Sequence, residues 1–589
     1  MSEYDVKNPS LVLCIAFTGS YPHEQHQAEV LLTKIDNILK DTFIHVSQYA
    51  NEKYGFADVP QIEFVTAAGL IDEQLLDRLK KQYPNRKFHI FCDENRMQNA
   101  DTQTEVSVLD NNSQSLTLSY KLMFSWICDQ SDYMIIVNDG ENALLQELIK
   151  HCKYENVPSI HIHTSLDRHI LWTEKSYYDS YNVDKLKEYI DGLFCINNPF
   201  KNSYENKKIL GRKLLLGDLY ARYMKKNKVK LDNLSYVKDN IMGLEYIVNG
   251  LGKTAEESRK KLLGIFYEFD QLAIKYADKY RASIYLRAVI PLFITFLLAT
   301  GFYLETLLSP WPITIPGTTL SLWSILAGLG FFAHALMNLY IYRLSENRIV
   351  QSWHRNFIEN RFIAEGLRLA IHFIPFGIPV NFFIHRNQYT SENNENKQAV
   401  LRLKWMLKDI GLPATQHNDQ ISSECLNSLE ELVNDQVIYH KNSANRFVNI
   451  FHKIKKYGKI GFYIGFLFIL FRGGLQLYLS FFKLQQKFLG QDLQPMIKSF
   501  TNMLALLFPA WASYFSSKLT LCNFENLYNN DLKMLQELDV IKQMIYDERQ
   551  KDILNYNDIY YLSKDVTSII LGEFTGWYLQ INDKKLTRL

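Results

Sequence analysis

Three short clusters of small and acidic residues hold the best prospect of chemistry in this chain. Thr18-Gly19-Ser20, Ala67-Ala68-Gly69 with Asp72 beyond it, and Asn138-Asp139-Gly140 with Glu147 beyond it each follow an apolar run. Small residues let a phosphate approach the backbone, and a helix opening just downstream supplies amide donors for it. Together the clusters predict a pocket for a nucleotide-type ligand; ordinary structural turns are the competing reading. His23 and His26, on either side of Glu24, stand three residues apart and are candidate pocket side chains, with no third ligand to suggest a metal. Further along, Arg361, Glu365 and Arg368 fall at i, i+4 and i+7 behind Trp353 and His354. Opposite charges so spaced pair within a helix or between subunits, or form a solvated ionic face. Arg472 is the only formal charge between Ile460 and Phe482. His440 reads as a satisfied helix histidine.

The elements that must carry the three clusters are legible upstream of each. Leu11–Phe17, Ile62–Thr66, Phe88–Cys92, Met134–Val137 and Ser159–His163 are short apolar runs, the pattern of strands buried on both faces. Between them, Gln25–Leu39 and the stretches after Asp72 and Gly140 place Leu, Ile and Ala at helical spacing. Strands alternating with helices predict a parallel sheet covered on both sides over residues 1–170, with ligands bound beyond the carboxyl ends of the strands. The polar stretch Asp93–Ser119 reads as a lid, an inter-subunit loop or plain surface.

The rest of the chain predicts an all-α membrane region. Ala288–Leu304 and Trp311–Tyr342 contain no Asp, Glu, Lys or Arg, and Glu305–Pro310 lies between them. Ile460–Phe482 and Ser499–Ser517 form a second apolar pair, with Pro509 inside the latter. A bilayer core about 30 Å thick needs roughly 20 mostly apolar residues in a helix, so the reading is two transmembrane hairpins, four spans. Lys275, Lys279, Arg281 and Arg287 before the first pair and Arg343, Arg348, Arg355 and Arg361 after it put both ends on the cytoplasmic side. The opening Met-Ser-Glu-Tyr-Asp-Val-Lys lacks a signal-peptide pattern, which agrees. Thr254-Ala-Glu-Glu257 is a capping-box pattern opening a helix that runs into the first span. The expected organisation is therefore 1–170 ligand-binding domain, 171–285 helical neck, 286–380 first hairpin with its following helix, 381–450 cytosolic helices, and 451–589 second hairpin with a helical tail. In that tail Leu532, Leu535 and Leu538 predict the packed side.

Composition narrows the function classes. Lys plus Arg number 65 against 63 Asp plus Glu, for a net charge of +2, so no nucleic-acid partner is expected. Mean hydropathy is −0.17, too polar for a many-pass transporter. None of the seven cysteines lies in a CxxC pair, which excludes a readable zinc site or disulfide framework.

The strand followed by Thr18-Gly19-Ser20-Tyr-Pro, then Ala68-Gly69 with Asp72, then Tyr120 ahead of Asp132-Tyr-Met-Ile-Ile-Val-Asn-Asp139-Gly140, resembles the SLOG group of Rossmann-like domains. The run from Trp353 to Arg368 resembles the helix after the membrane pair in SLATT-type two-span effectors, and Gln436–Arg446 repeats that design. The resemblance implies pocket roles for Gly19, Gly69, Asp139, Gly140 and Glu147. It also implies a sensor of a nucleotide-derived signal in bacterial antiphage defence. Enzymatic members carry a Gly-Gly-Thr stretch after the fourth strand; here Asp139-Gly140 runs into Glu141-Asn142-Ala143. That departure favours a sensor without cofactor over a nucleotide hydrolase or glycosidase using Asp139 or Glu147. The expected protein is an oligomeric inner-membrane effector, multi-pass with its N-terminal domain, middle helices and tail cytoplasmic, that permeabilises or depolarises the bilayer. Its partners would be the signal, the lipid, further copies of itself and an upstream messenger-producing enzyme. Arg472, costly in lipid at mid-span, would line a pore or gate, pair with a neighbour, or mark a break between half-helices at Gly473-Gly474. A membrane-anchored scaffold is the remaining alternative.

Overall fold

A computed structural model of the chain describes residues 12–20, 22, 24–49, 61–67, 70–93, 104–109, 120–138, 142–155, 157–163, 170–174 and 177–194 of the N-terminal half. Beyond these it describes 253–308, scattered positions between 328 and 339, 348–373, 376, 394–410, 416–417, 419–482, 487–488, 491–522, 524–551 and 554–582.

The expected strands all form: β1 (Val12–Gly19), β2 (Gln61–Ala67), β3 (Phe88–Asp93), β5 (Tyr133–Asn138) and β6 (Ser159–His163). A further strand, β4 (Thr104–Leu109), lies inside the stretch read as a loop. The sheet also continues past residue 170 as β7 (Ile170–Glu174) and β8 (Tyr177–Ser180), where a helical neck was expected. The order is β8-β7-β6-β5-β1-β2-β3-β4-β9, parallel from β6 to β9, with β7 and β8 antiparallel at one edge. The last strand, β9 (Gln416–His417), comes from the helical half and covers the β4 edge.

Helices α1 (Gln25–Tyr49), α2 (Glu73–Gln82) and α5 (Val183–Phe194) cover one face, where Leu13, Ile15, Phe17, Phe64 and Ile135 pack with Leu31, Ile35, Leu75 and Ile190. On the other face α3 (Tyr120–Gln130) and α4 (Ala143–Tyr154) pack on Cys14, Ala16, Val65 and Ile136. This second core runs on without a break into the helical half. Every residue of β5 is buried, which is why its sequence runs apolar from Tyr133 to Val137 instead of alternating.

The helical half begins with α6 (Lys253–Leu308), one continuous helix from the predicted cap through the first apolar run and past Glu305. Next come α7 (Arg348–Phe373), α8 (Asn394–Ile410), α9 (Asp419–Phe482), α10 (Leu493–Cys522), α11 (Phe524–Arg549) and α12 (Tyr556–Asn582). Short strands β10 (Lys487–Phe488) and β11 (Gln491–Asp492) pair between α9 and α10. In α11 the buried side is Met534, Leu538, Ile541 and Ile545, whereas Leu532 is exposed, so the predicted Leu532 face is corrected. Three-residue steps from Leu532 drift around a helix with 3.6 residues per turn, and Met534–Leu538–Ile541–Ile545 keeps to one side.

Among the described residues one helix, within Ile421–Leu475, is long and apolar enough to cross a membrane, rather than the four expected. Only 11% of its apolar window is buried, which separates it from the core helix of a soluble fold. The apolar stretch of α6, Val289–Gly301, is shorter. In α10, Thr501, Asn502 and the serines near its end dilute the apolar run. Most of Trp311–Tyr342 lies outside the described residues. The apolar parts of α6, α9 and α10 nevertheless sit side by side. Tyr303 of α6 packs on Phe500 of α10 (ring centroids 5.6 Å apart), and Phe468 of α9 stacks on Phe508 of α10 at 5.4 Å. Gly458, Gly461 and Gly465 allow the close α9–α10 approach, a Cβ on Gly461 meeting Trp511 at 2.5 Å. The outer surface of this group exposes Phe293, Phe296, Leu297, Phe462, Phe466, Leu467, Leu470, Phe471 and Leu506.

Candidate functional site

The strand order turns at β1: the chain builds outward through β2, β3 and β4, then returns to add β5 and β6 on the other side of β1. Crossovers leaving adjacent strands toward opposite faces open a crevice at their carboxyl ends. Thr18-Gly19-Ser20 ends β1 there, and α1 begins soon after. Gly19 is the hub of this end. Its N–H donates to the Leu70 carbonyl (2.8 Å), its carbonyl accepts from the Asp72 N–H (2.9 Å), and the Ser20 N–H donates to the Val137 carbonyl of β5 (3.2 Å). Its φ of +130° is a conformation open to glycine, and a Cβ would land on the Val137 carbonyl. Three strands are thus tied together through a position only glycine fits.

Thr18 beside it is fully buried, and its hydroxyl has no hydrogen-bond partner among the described residues. An unsatisfied buried hydroxyl costs about 1–3 kcal/mol, so this one stands out at a strand end. The first turn of α1 carries no acidic residue, and Glu24 stands just before it, its carbonyl accepting from the Ala28 N–H (3.0 Å).

The other predicted residues divide. Asp72 caps α2, accepting from the Gln74 N–H at 2.8 Å, so its carboxylate has a structural task. Asn142 caps α4 in the same way, through the N–H groups of Leu144 and Leu145. Glu147 is exposed on α4, and His26 is exposed at the start of α1. His23, Gly69, Asp139 and Gly140 lie outside the described residues.

Sequence reasoning missed the other end of β5. Asp132, immediately before that strand, is 2% exposed and receives Lys404 at 2.6 Å on Oδ1 and Lys408, itself 3% exposed, on Oδ2. The Cys14 N–H also donates to Oδ2 (2.9 Å), and Tyr189 donates to the Asp132 carbonyl (2.8 Å). Burial opposes ionisation of Asp132, but the two lysines outweigh it and hold its pKa well below the usual carboxylate range. Burial pushes the neighbouring Cys14 thiol up to about 12, which removes it as a nucleophile. A second tie lies on α3, where Asp129 accepts from Tyr560 (2.7 Å) and pairs with Lys564 (2.9 Å), both on α12. The available signal was the i, i+4 lysine pair on the inward side of α8, where an apolar residue would be expected.

The Trp353–Arg368 motif is internal to the helical half. Arg361 pairs with Glu365 (2.5 Å) and reaches Asp270 of α6 (2.9 Å), while Arg368 pairs with Glu365 at 2.6 Å. Trp353 is buried under the Lys279 ammonium (5.4 Å), and His354 packs on Tyr280 with ring centroids 4.3 Å apart. Burial lowers the pKa of His354 to about 4. The motif therefore fastens α7 to α6, with its charges paired within the helix and across to its neighbour. His440, read as an ordinary helix histidine, is fully buried between Asp531 (2.8 Å) and Glu573 (3.3 Å). Arg472 is half-buried on α9 between the exposed Phe471 and Gly473. No family model, curated protein or solved structure matches the chain.

Proposed function

We propose that this chain is a membrane-inserted sensor and effector: a nucleotide-derived signal binds at the β1–β5 turning point, and the α6–α9–α10 group answers in the bilayer. The observation that carries the reading is the unpartnered Thr18 hydroxyl beside Gly19, at the point where the strand order reverses. A bound phosphate or ribose oxygen would satisfy that hydroxyl and meet the backbone amides at the start of α1. Ser20 joins this donor set, with Gly69, Asp139, Gly140 and Glu147 as further contacts. β5 then runs about 20 Å, at roughly 3.3 Å per residue, from the proposed site to the Asp132–Lys404–Lys408 clamp on α8. A ligand that favours one setting of this strut shifts the helices behind it, provided its affinity differs between the two settings.

In the bilayer the exposed apolar faces of α6, α9 and α10 contact lipid or further copies, in a multi-pass arrangement with both soluble parts cytoplasmic. Arg472, costly in lipid, faces water or a neighbouring chain and lines the path by which the assembly permeabilises the membrane. The biological role that fits is growth arrest of an infected cell in antiphage defence, with the signal made by a separate enzyme. Equilibrium binding of a panel of cyclic oligonucleotides and ADP-ribose derivatives to the full-length protein in detergent tests the sensor. Binding by one member, weakened in Thr18→Val, is expected; binding unaffected by Thr18→Val rules out this site.

A further inference from the structure

His440 lies on α9, Asp531 on α11 and Glu573 on α12, so three helices deliver one imidazole and two carboxylates to one place. One ligand atom from each lies within 4.8 Å of the others. Two atoms bound to one ion at about 2.1 Å are at most about 4.2 Å apart, so the cluster needs only a small contraction to close on a metal. The His440 imidazole is fully buried, and its Nδ1 faces Asp531 Oδ1 at 2.8 Å. A carboxylate on one ring nitrogen orients the ring and leaves the other for a metal. That other atom, Nε2, is 3.3 Å from Glu573 Oε2. Such a distance suits two adjacent ligands of one ion. The second Asp531 oxygen, Oδ2, is buried and without a partner among the described residues.

Glu365 is electrostatically coupled to His440 and joins this cluster to the Arg361–Asp270 and Arg368 pairs. Among these described groups Asp270, Glu365, Asp531 and Glu573 face the guanidiniums of Arg361 and Arg368 and the His440 imidazole. Burial opposes the charge on that imidazole, but Asp531 and Glu573 raise its pKa to about 9, so an ion would compete with a proton for the ring.

We propose that His440 Nε2 and Glu573, with Asp531 orienting the imidazole through Nδ1, bind a first-row divalent metal ion of the zinc or manganese class, tying α9 to α11 and α12. Imidazole with carboxylate, and no thiolate, favours such an ion over copper(I) or an iron–sulfur cluster. The site would anchor the C-terminal helices to the helix that carries the apolar segment, and it stands independently of the proposed ligand site.

The test uses untagged full-length protein in detergent, dialysed against zinc or manganese and then against metal-free buffer, with metal content read by mass spectrometry. The expected result is a stoichiometric ion in the wild type and roughly tenfold or greater loss of affinity in Glu573→Gln and His440→Gln. X-ray absorption on the wild type should show imidazole nitrogen and carboxylate oxygen around the ion, a readout that does not depend on how the variants fold. A folded wild type that retains neither ion overturns the proposal, as does sulfur coordination or undiminished retention in both variants.

Discussion

Replacing Asp132 by Asn separates the two halves of the molecule electrostatically while keeping the shape of the side chain. Lys408 is 3% exposed and Lys404 14% exposed, so neither ammonium can turn to water without leaving its place. Keeping a buried Lys neutral at pH 7.5 costs about 4 kcal/mol from an unperturbed pKa near 10.4, and breaking a buried pair from one side typically costs about 3–5 kcal/mol. The lysines should therefore withdraw, and α8 should open from the sheet about 10²–10³ times more often. Hydrogen exchange of full-length protein, followed in peptides covering α8 and β5, reads this directly. The triple variant Asp132→Asn, Lys404→Met, Lys408→Met leaves no orphaned charge and should recover most of the lost protection. If Asp132→Asn exchanges α8 at the wild-type rate, the clamp does not hold the halves together.

Thr18→Val removes the unpartnered hydroxyl and should stabilise the ligand-free protein by about 1 kcal/mol while weakening ligand binding; a lower melting temperature would show that the hydroxyl has a partner in the free protein. Gly465→Val puts a Cβ 2.9 Å from that of Phe508, whereas Gly473 has open space around it, so the first should destabilise by about 1–3 kcal/mol and Gly473→Val should not. Equal melting temperatures in detergent would refute the α9–α10 packing. Burial lowers the pKa of His161 and His354 to about 4 and of His372 to about 3. An unfolded histidine titrates near 6.5, so between these values the unfolded chain holds more protons and stability falls as pH drops. At pH 5.5 each should cost about 1.4 kcal/mol relative to pH 7.5. Replacing His161 by Gln should remove its share of the slope, and an unchanged slope would contradict the assignment.

The parallel sheet was legible because buried strands leave an uninterrupted apolar run, and each of the five expected runs forms a strand. β4, β7 and β8 were not, because Thr104–Leu109 and Ile170–Ser180 mix polar and apolar residues in the manner of edge strands. Gly19 was legible as a turn, but its role as the knot of three strands depends on Leu70, Asp72 and Val137, which are distant in sequence. Asp132 with Lys404, and His440 with Asp531 and Glu573, escaped for the same reason. Such pairs are separated by many residues, and apart from the lysine pair on the inward side of α8 no single stretch signals them. The charged motif from Arg361 to Arg368 was legible within its helix, since i, i+4 spacing is local; its bond to Asp270 was not.

The central claim is that a ligand at the end of β1 controls the helices in the membrane through β5 and the Asp132 clamp. It is tested most directly by dye efflux from liposomes holding the full-length protein, with and without the nucleotide that binds it. Ligand-dependent efflux is expected in the wild type, and in Asp132→Asn a bound ligand that no longer changes efflux. Ligand-dependent efflux of wild-type size in Asp132→Asn, or a nucleotide that binds the wild type and leaves efflux unchanged, would contradict the claim.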